Sequence, residues 1–369
     1  MRTLKFTAPK VAVTIASCVV VVATATVSRA APMDLTPERF RICTGSGTSI
    51  SCAPNNVPWA NMTTELGYAI APSAFHAART TGLGGFALSF EASYAHINAD
   101  AKDSTGTQYW HEGTQGAVDP ASNKFSIVNN GPDSILQIYS LKARKGLPFG
   151  FEVTGALGYL ANTSMWVGGA DLHWAPLEGF RTGILGYLPD IALGGGVRTL
   201  GGSPELFLTT VGLDGQISKP FTLADAAVLT PYIGVQRLWI YADSTAVDLS
   251  PNVDPIGAQC GYQGTNTPYG PGNTSNPNAP GNTTGAYDGQ PICKTPGGNS
   301  AFNNLATFNH VRVERVRGII GVTYRYEILY LAGEFATDLE DPGAEGQQAA
   351  YGISGSKQWT TSFEVGVSF

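Results

Sequence analysis

From residue 84 onward the chain alternates. Segments of about ten residues carry apolar side chains at every second position, and turn-rich stretches separate them. This pattern predicts ten strands, at 84–97, 134–145, 149–161, 165–175, 189–199, 205–217, 229–242, 307–323, 328–339 and 358–369. The region 177–189 has room for more strand, so twelve is the alternative count.

Parity separates two faces. In 358–369, Trp359, Thr361, Phe363, Val365, Val367 and Phe369 share one face, while Thr360, Ser362, Glu364, Gly366 and Ser368 share the other. In 149–161, Phe149, Phe151, Val153, Leu157 and Tyr159 oppose Glu152 and Thr154. In 165–175, Trp166, Gly168, Ala170, Leu172 and Trp174 oppose Asp171 and His173. A charged side chain facing lipid at the bilayer midplane costs about 2–4 kcal/mol, so a lipid-facing wall confines charge to the opposite parity. Trp166 and Trp174 lie about 26 Å apart along a strand, or roughly 20 Å in depth at a 40° tilt, close to the spacing of two aromatic girdles.

The predicted inward set is Glu91, Lys142, Arg144, Glu152, Asp171, His173, Arg198, Asp214, Arg237, Arg315, Arg317, Glu334, Asp338 and Glu364. Arg237 fits poorly. It shares the parity of Ile233, Val235 and Trp239, which predicts a bulge or an aromatic-lined interior there. Sequential pairing sets Lys142 and Arg144 between the strands of Glu91 and Glu152, and Arg315 and Arg317 beside Glu334 and Asp338. Two readings stand open: a paired network stiffening a narrow interior, or a path for ions and small solutes.

Composition supports a wall with one apolar face. Only 14% of the 369 residues are charged, against about 25% in soluble domains. There are 45 glycines, and aromatics reach 10%. Arg2, Lys5 and Lys10 precede an apolar run at 11–27, and Ser28-Arg29-Ala30 offers a cleavage site after Ala30, so residues 1–30 read as a signal peptide. An inner-membrane anchor and lipoprotein cleavage at Cys18 are the rival readings. No later stretch has the 18 or so apolar residues of a membrane helix. Removing residues 1–30 moves the formal charge from −6 to −10, which argues against a nucleic-acid partner.

Residues 31–82 lack sustained periodicity and read as a periplasmic N-terminal segment of irregular surface structure, or alternatively as a plug in the barrel mouth. Cys43/Cys52 and Cys260/Cys293 are two close pairs in an exported chain, the pattern of two disulfides. The second would close a loop worth roughly 3–4 kcal/mol. With residue 84 on the inner side, long outer loops fall near 98–133, 243–306 and 340–357, and the inner turns are shorter.

The ending Trp359-x-x-x-Phe363-x-Val365-x-Val367-x-Phe369 resembles the C-terminal signal of outer-membrane barrels that the barrel-assembly machinery reads. The resemblance covers the last dozen residues. It implies an all-β, antiparallel up-and-down transmembrane barrel in the outer membrane of a Gram-negative bacterium. It also implies lipid bilayer and lipopolysaccharide as surroundings and the assembly machinery as a partner through Phe369. The expected function is a narrow, porin-like channel for small solutes or a scaffold that displays loops. A surface adhesion role and a transporter of hydrophobic compounds are alternatives, although lipid-transporting barrels have about fourteen strands. Asp171-x-His173 is similar to the Asp-x-His pair of the omptin proteases. That family's pair sits at the extracellular rim, whereas the topology here sets Asp171 and His173 toward the periplasmic end. No catalytic, cofactor or metal site is expected.

Overall fold

The computed structural model describes residues 33–44, 51–73, 77–110, 118–119, 124–125, 132–178, 188–224, 227–249, 260–262, 291–293, 305–342 and 346–369. The expected signal peptide lies outside them.

Ten long strands form the wall: β1 (Phe86–His96), β2 (Ile135–Gly146), β3 (Phe151–Leu160), β4 (Trp166–Leu177), β5 (Asp190–Gly201), β6 (Leu206–Ser218), β7 (Ala227–Ser244), β8 (Val311–Tyr326), β9 (Leu329–Asp338) and β10 (Trp359–Ser368). Each pairs antiparallel with its neighbours in sequence, and β10 returns to β1. The ring is therefore closed, which leaves no edge strand unpaired. Phe369 seals the seam, donating its N–H to Phe86 O at 2.8 Å and accepting from Phe86 N at 3.1 Å. The expectation of ten strands holds. The short strand Phe221–Ala224 pairs only with the start of β7 and does not enlarge the ring. Residues 179–187, where extra strand was an option, fall outside the described residues.

Side chains alternate as the pleat demands. In β10 the even-numbered residues are buried and the odd ones half-buried or exposed. On the outward parity of all ten strands, charge occurs among the described residues only at Lys145, Arg237, Asp243, Arg312 and Glu314. The outer surface is otherwise an apolar band whose aromatic ends include stacked pairs. Phe151 and Trp174 lie 5.8 Å apart at one end, and Trp359 stacks on His96 at 5.7 Å at the other. Phe363, 58% exposed in mid-strand, tests this surface. Phe363→Arg is expected to cost about 2–4 kcal/mol of folding stability in lipid vesicles, and Trp359→Arg near the strand end distinctly less. Equal losses in denaturant titrations would place β10 outside the bilayer.

Left-handed backbone shapes the tight turns at the end where β1 begins. Phe149 and Gly150 (φ 64° and 73°) join β2 to β3, and Glu327 (φ 50°) sits between β8 and β9.

The N-terminal segment is not the irregular surface structure expected of it; its position agrees with the alternative, a plug. Residues 56–69 form a helix, α1 (Asn56–Ala69), capped by Asn55, whose side chain accepts from Val57 N. Pro58 fits the first turn, where no intrahelical bond is lost, and Pro72 follows the end. Every residue from Pro58 to Ala69 is buried, because the helix lies inside the barrel. A ten-stranded ring is roughly 20 Å across, and inward side chains leave about one helix diameter. Trp59, Met62, Leu66 and Ile70 pack on Ile97, Leu136, Leu160, Leu208, Ile240 and Val313 from the wall.

The segment enters from the end opposite Phe86 and Phe369. Met33 N bonds Asn162 O and Ser164 N bonds Asp34 in the β3–β4 turn, at 2.8 and 2.6 Å. A hairpin of Arg41–Thr44 and Ser51–Pro54 follows, in which Cys43 and Cys52 are register partners. Residues 33–55 thus sit with the long loops, not at the mouth where the strands begin. The reason is steric: α1 fills the lumen, and the chain must start above it to descend into β1.

Candidate functional site: the barrel lumen

Seen from the long-loop end, the lumen is first apolar and then charged. At the apolar level Glu65 of α1 is the exception. It accepts from Asn98 N at 3.0 Å and from Trp110 Nε1 at 2.7 Å, which ties the helix to the loop after β1. Higher still, Asp103 accepts from the Asn55 side chain at 2.6 Å. Burial alone would raise the Asp103 carboxyl, but donors from Thr105, Asn55 and Thr107 hold it below the usual range.

Below, the wall charges are paired. Lys142 meets Glu91, and Arg198 grips Asp171 with two bonds of 2.7 Å. Arg144 reaches Glu364 at 3.3 Å, and Tyr330 donates to the same carboxylate at 2.6 Å. Arg315 pairs with Asp338, both side chains almost fully buried, and also reaches Gln358. Arg317 donates to Gln236 at 2.7 Å and to Pro72 O. Tyr68 of α1 lies beneath both guanidiniums, 4.4 Å from Arg315 and 5.5 Å from Arg317. Glu334 accepts from Tyr232 at 2.9 Å, Asp214 faces Gln236 at 3.5 Å, and Glu152 accepts from Thr81 N at 2.8 Å.

Thirteen of the fourteen predicted lumen residues lie on inward parity, and Arg237 does not. It points outward, pairs with Glu314 and stacks over Trp239 at 5.5 Å. The expected bulge is absent, since β7 and β8 pair without interruption from Ala227↔Tyr326 to Ala242↔Val311. Depth explains why the charge is tolerated. Glu314 lies twelve positions from Tyr326, about 40 Å of strand or roughly 30 Å of depth, which sets the pair at the outer interface. The cost of a charge falls there to about 0–1 kcal/mol.

Asp171 and His173 do not act as a pair. Asp171 is taken by Arg198, and the His173 ring lies between Ala78 O at 3.2 Å and Gln216 at 3.4 Å. Trp166, Trp174, Phe363 and Phe369 are exposed on the outside, and Trp359 is half-buried there. Cys260 and Cys293 are register partners in a short strand pair. The residues the periodicity overlooked are Tyr232, Gln236 and Gln358, all visible on inward parity, together with Glu65, Tyr68 and Ser73 from the N-terminal segment. Among the described residues, no three His, Cys, Asp or Glu side chains group as a cation site.

Little space remains. Two cavities in the charged level hold ≈20 and ≈30 Å³, room for a water or two each. A larger one of ≈230 Å³ opens below, between Thr80, Arg144, Thr230 and Thr323.

A closed ring of ten antiparallel strands, apolar outside and charged inside, is a transmembrane β-barrel of the outer-membrane type. No family model matches the chain, and no curated protein does. Among solved structures it is similar to Ail, the attachment invasion locus protein of Yersinia pestis, at 9% identity over 78% of this chain and 99% of that one, with a TM-score of 0.26. The translocator domain of the autotransporter NalP from Neisseria meningitidis matches at 9% identity over 79% and 89%, with a TM-score of 0.27. The KdgM porin matches at 7% over 77% and 98%, with a TM-score of 0.25. Likeness at this level bears on no activity; the class rests on the barrel's own closure and surface.

Proposed function

We propose that this outer-membrane barrel is a rigid anchor that displays its long outer loops while its N-terminal segment keeps the lumen shut. The observation that carries this reading is the burial of α1 from Pro58 to Ala69, with internal cavities of only ≈20 and ≈30 Å³ around the charged level. Such spaces admit water and no hydrated solute path. Disulfides between Cys43 and Cys52 and between Cys260 and Cys293 would stiffen the displayed parts, each joining residues already opposite in register. The protein works without catalysis in this reading, and Phe369 is the handle for the assembly machinery.

A gated channel is the second reading. It is favoured by the many inward-facing charges of the wall, Lys142, Arg144, Arg198, Arg315, Arg317, Glu91, Glu334 and Glu364 among them, which would line a polar path if the segment withdrew. Planar-bilayer recording separates the two. The intact protein is expected to be electrically silent, and stepwise conductance from unmodified protein would overturn the anchor.

A further inference from the structure

The N-terminal segment runs through the barrel in one direction, with no doubling back among the described residues. Met33 and Asp34 touch the β3–β4 turn, Asn55 reaches Asp103, and Trp59 donates to Asn309 O at 3.2 Å. About two turns deeper, Gly67 O accepts from Thr210 at 3.0 Å and Tyr68 donates to Gln358 O at 3.3 Å. Pro72 O meets Gln236 at 3.2 Å, Ala78 N meets Ser218 at 3.0 Å, and Gly84 N finally meets Gly146 O at 3.3 Å, where β1 begins.

Among the described residues, the lumen holds one passage of chain. Cavities of ≈20 and ≈30 Å³ cannot take a second backbone, so residues 33–55 have no way back past α1. The end they occupy is the end of the long connections 98–133 and 243–306, while the tight turns at 147–150 and 327–328 share the other end with Phe86 and Phe369. In barrels of this class short turns face the periplasm and long loops face outward. An exported chain starts on the periplasmic side. Residues 33–55 must therefore have crossed the plane of the membrane to reach their contacts, and the lumen is the route their continuation still occupies.

We infer that the barrel carries its own N-terminal segment outward through its lumen, so that residues 33–55 form part of the cell-surface face alongside the loops. The contacts support a settled position. Phe40 packs edge-on against Phe308 at 6.2 Å, and Arg41 donates to Leu249 O, joining the hairpin to the extensions of β7 and β8. The inference rests on the orientation that the anchor reading assumes, with the long loops outside.

The test is a short epitope inserted between Ala31 and Pro32 in the full chain, compared with the same epitope within 263–290 and with one between Lys219 and Pro220. Heat-dependent electrophoretic mobility verifies that each variant folds. On intact cells, antibody is expected to label the first two to a similar level and the third only after permeabilisation. If the 263–290 tag is labelled and the tag ahead of Pro32 is not, the inference fails and the anchor reading survives. If the 219–220 tag alone is labelled, the orientation is inverted and both fail. Should the first insertion prevent folding, Pro32→Cys with a membrane-impermeant maleimide reads the same position against the unsubstituted chain.

Discussion

Replacing Asp338 by alanine is expected to lower the unfolding free energy by about 3–5 kcal/mol, the usual cost of removing one partner of a buried ion pair. Arg315 is 3% exposed and Asp338 4% exposed, so neither meets bulk water. Besides pairing with Arg315, Asp338 accepts from Gln358 N at 2.8 Å. Its loss leaves the buried guanidinium over Tyr68 without a counter-charge, with Gln358 as a neutral partner, and removes the acceptor of a backbone N–H where β10 begins. The variant Arg315→Met/Asp338→Leu removes both charges and is expected to recover most of the loss, because a buried pair is often no better than well-packed apolar residues. Denaturant unfolding in lipid vesicles, run on both variants and the wild type, reads both numbers. A double variant as damaged as Asp338→Ala would show that the pair contributes net stability, against the view of it as a balanced lumen contact.

This pair also shows what could be foreseen. Arg315 and Asp338 sit on inward parity in adjacent strands, so a period of two, plus sequential pairing, is enough to bring them together. Arg237 obeys the same parity rule and points outward, but parity carries no depth. Only the register of β7 against β8 shows that Arg237 and Glu314 lie at the interface, where charge is cheap. Helix α1 was illegible for a related reason. Trp59, Met62, Leu66 and Ile70 recur at helical spacing, but the stripe is short. The residues beside it (Asn61, Thr63, Thr64, Glu65) are polar yet buried too, because the helix is enclosed on all sides by a mixed wall, so the segment does not read as an amphipathic surface helix. Its Gly67, Thr63 and Thr64 are poor helix formers in isolation, and tertiary burial overrides them.

Gly67→Val is expected to turn a silent barrel into a conducting one. The Cβ of any residue at 67 would stand 2.4 Å from Ile240 Cγ2 and 3.1 Å from two further Ile240 atoms. Ile240 is fully buried and β-branched, so it has little freedom to turn aside. Overpacking of this kind costs about 1–3 kcal/mol, and a bias of that size shifts a two-state equilibrium roughly 5- to 150-fold. The wall is closed by its own strand pairing, whereas α1 is held by side-chain and loop contacts. Strain at Gly67 should therefore move the helix before it opens the ring. Planar-bilayer recordings are expected to show openings in Gly67→Val that the wild type lacks. Gly67→Val combined with Ile240→Ala returns the missing volume, so the helix should reseat and the current fall again. That rescue separates plug displacement from general damage to the barrel, which a second core substitution would only deepen. A folded Gly67→Val barrel that stays silent would mean that α1 is fixed in the lumen, and the gated reading would be lost with it.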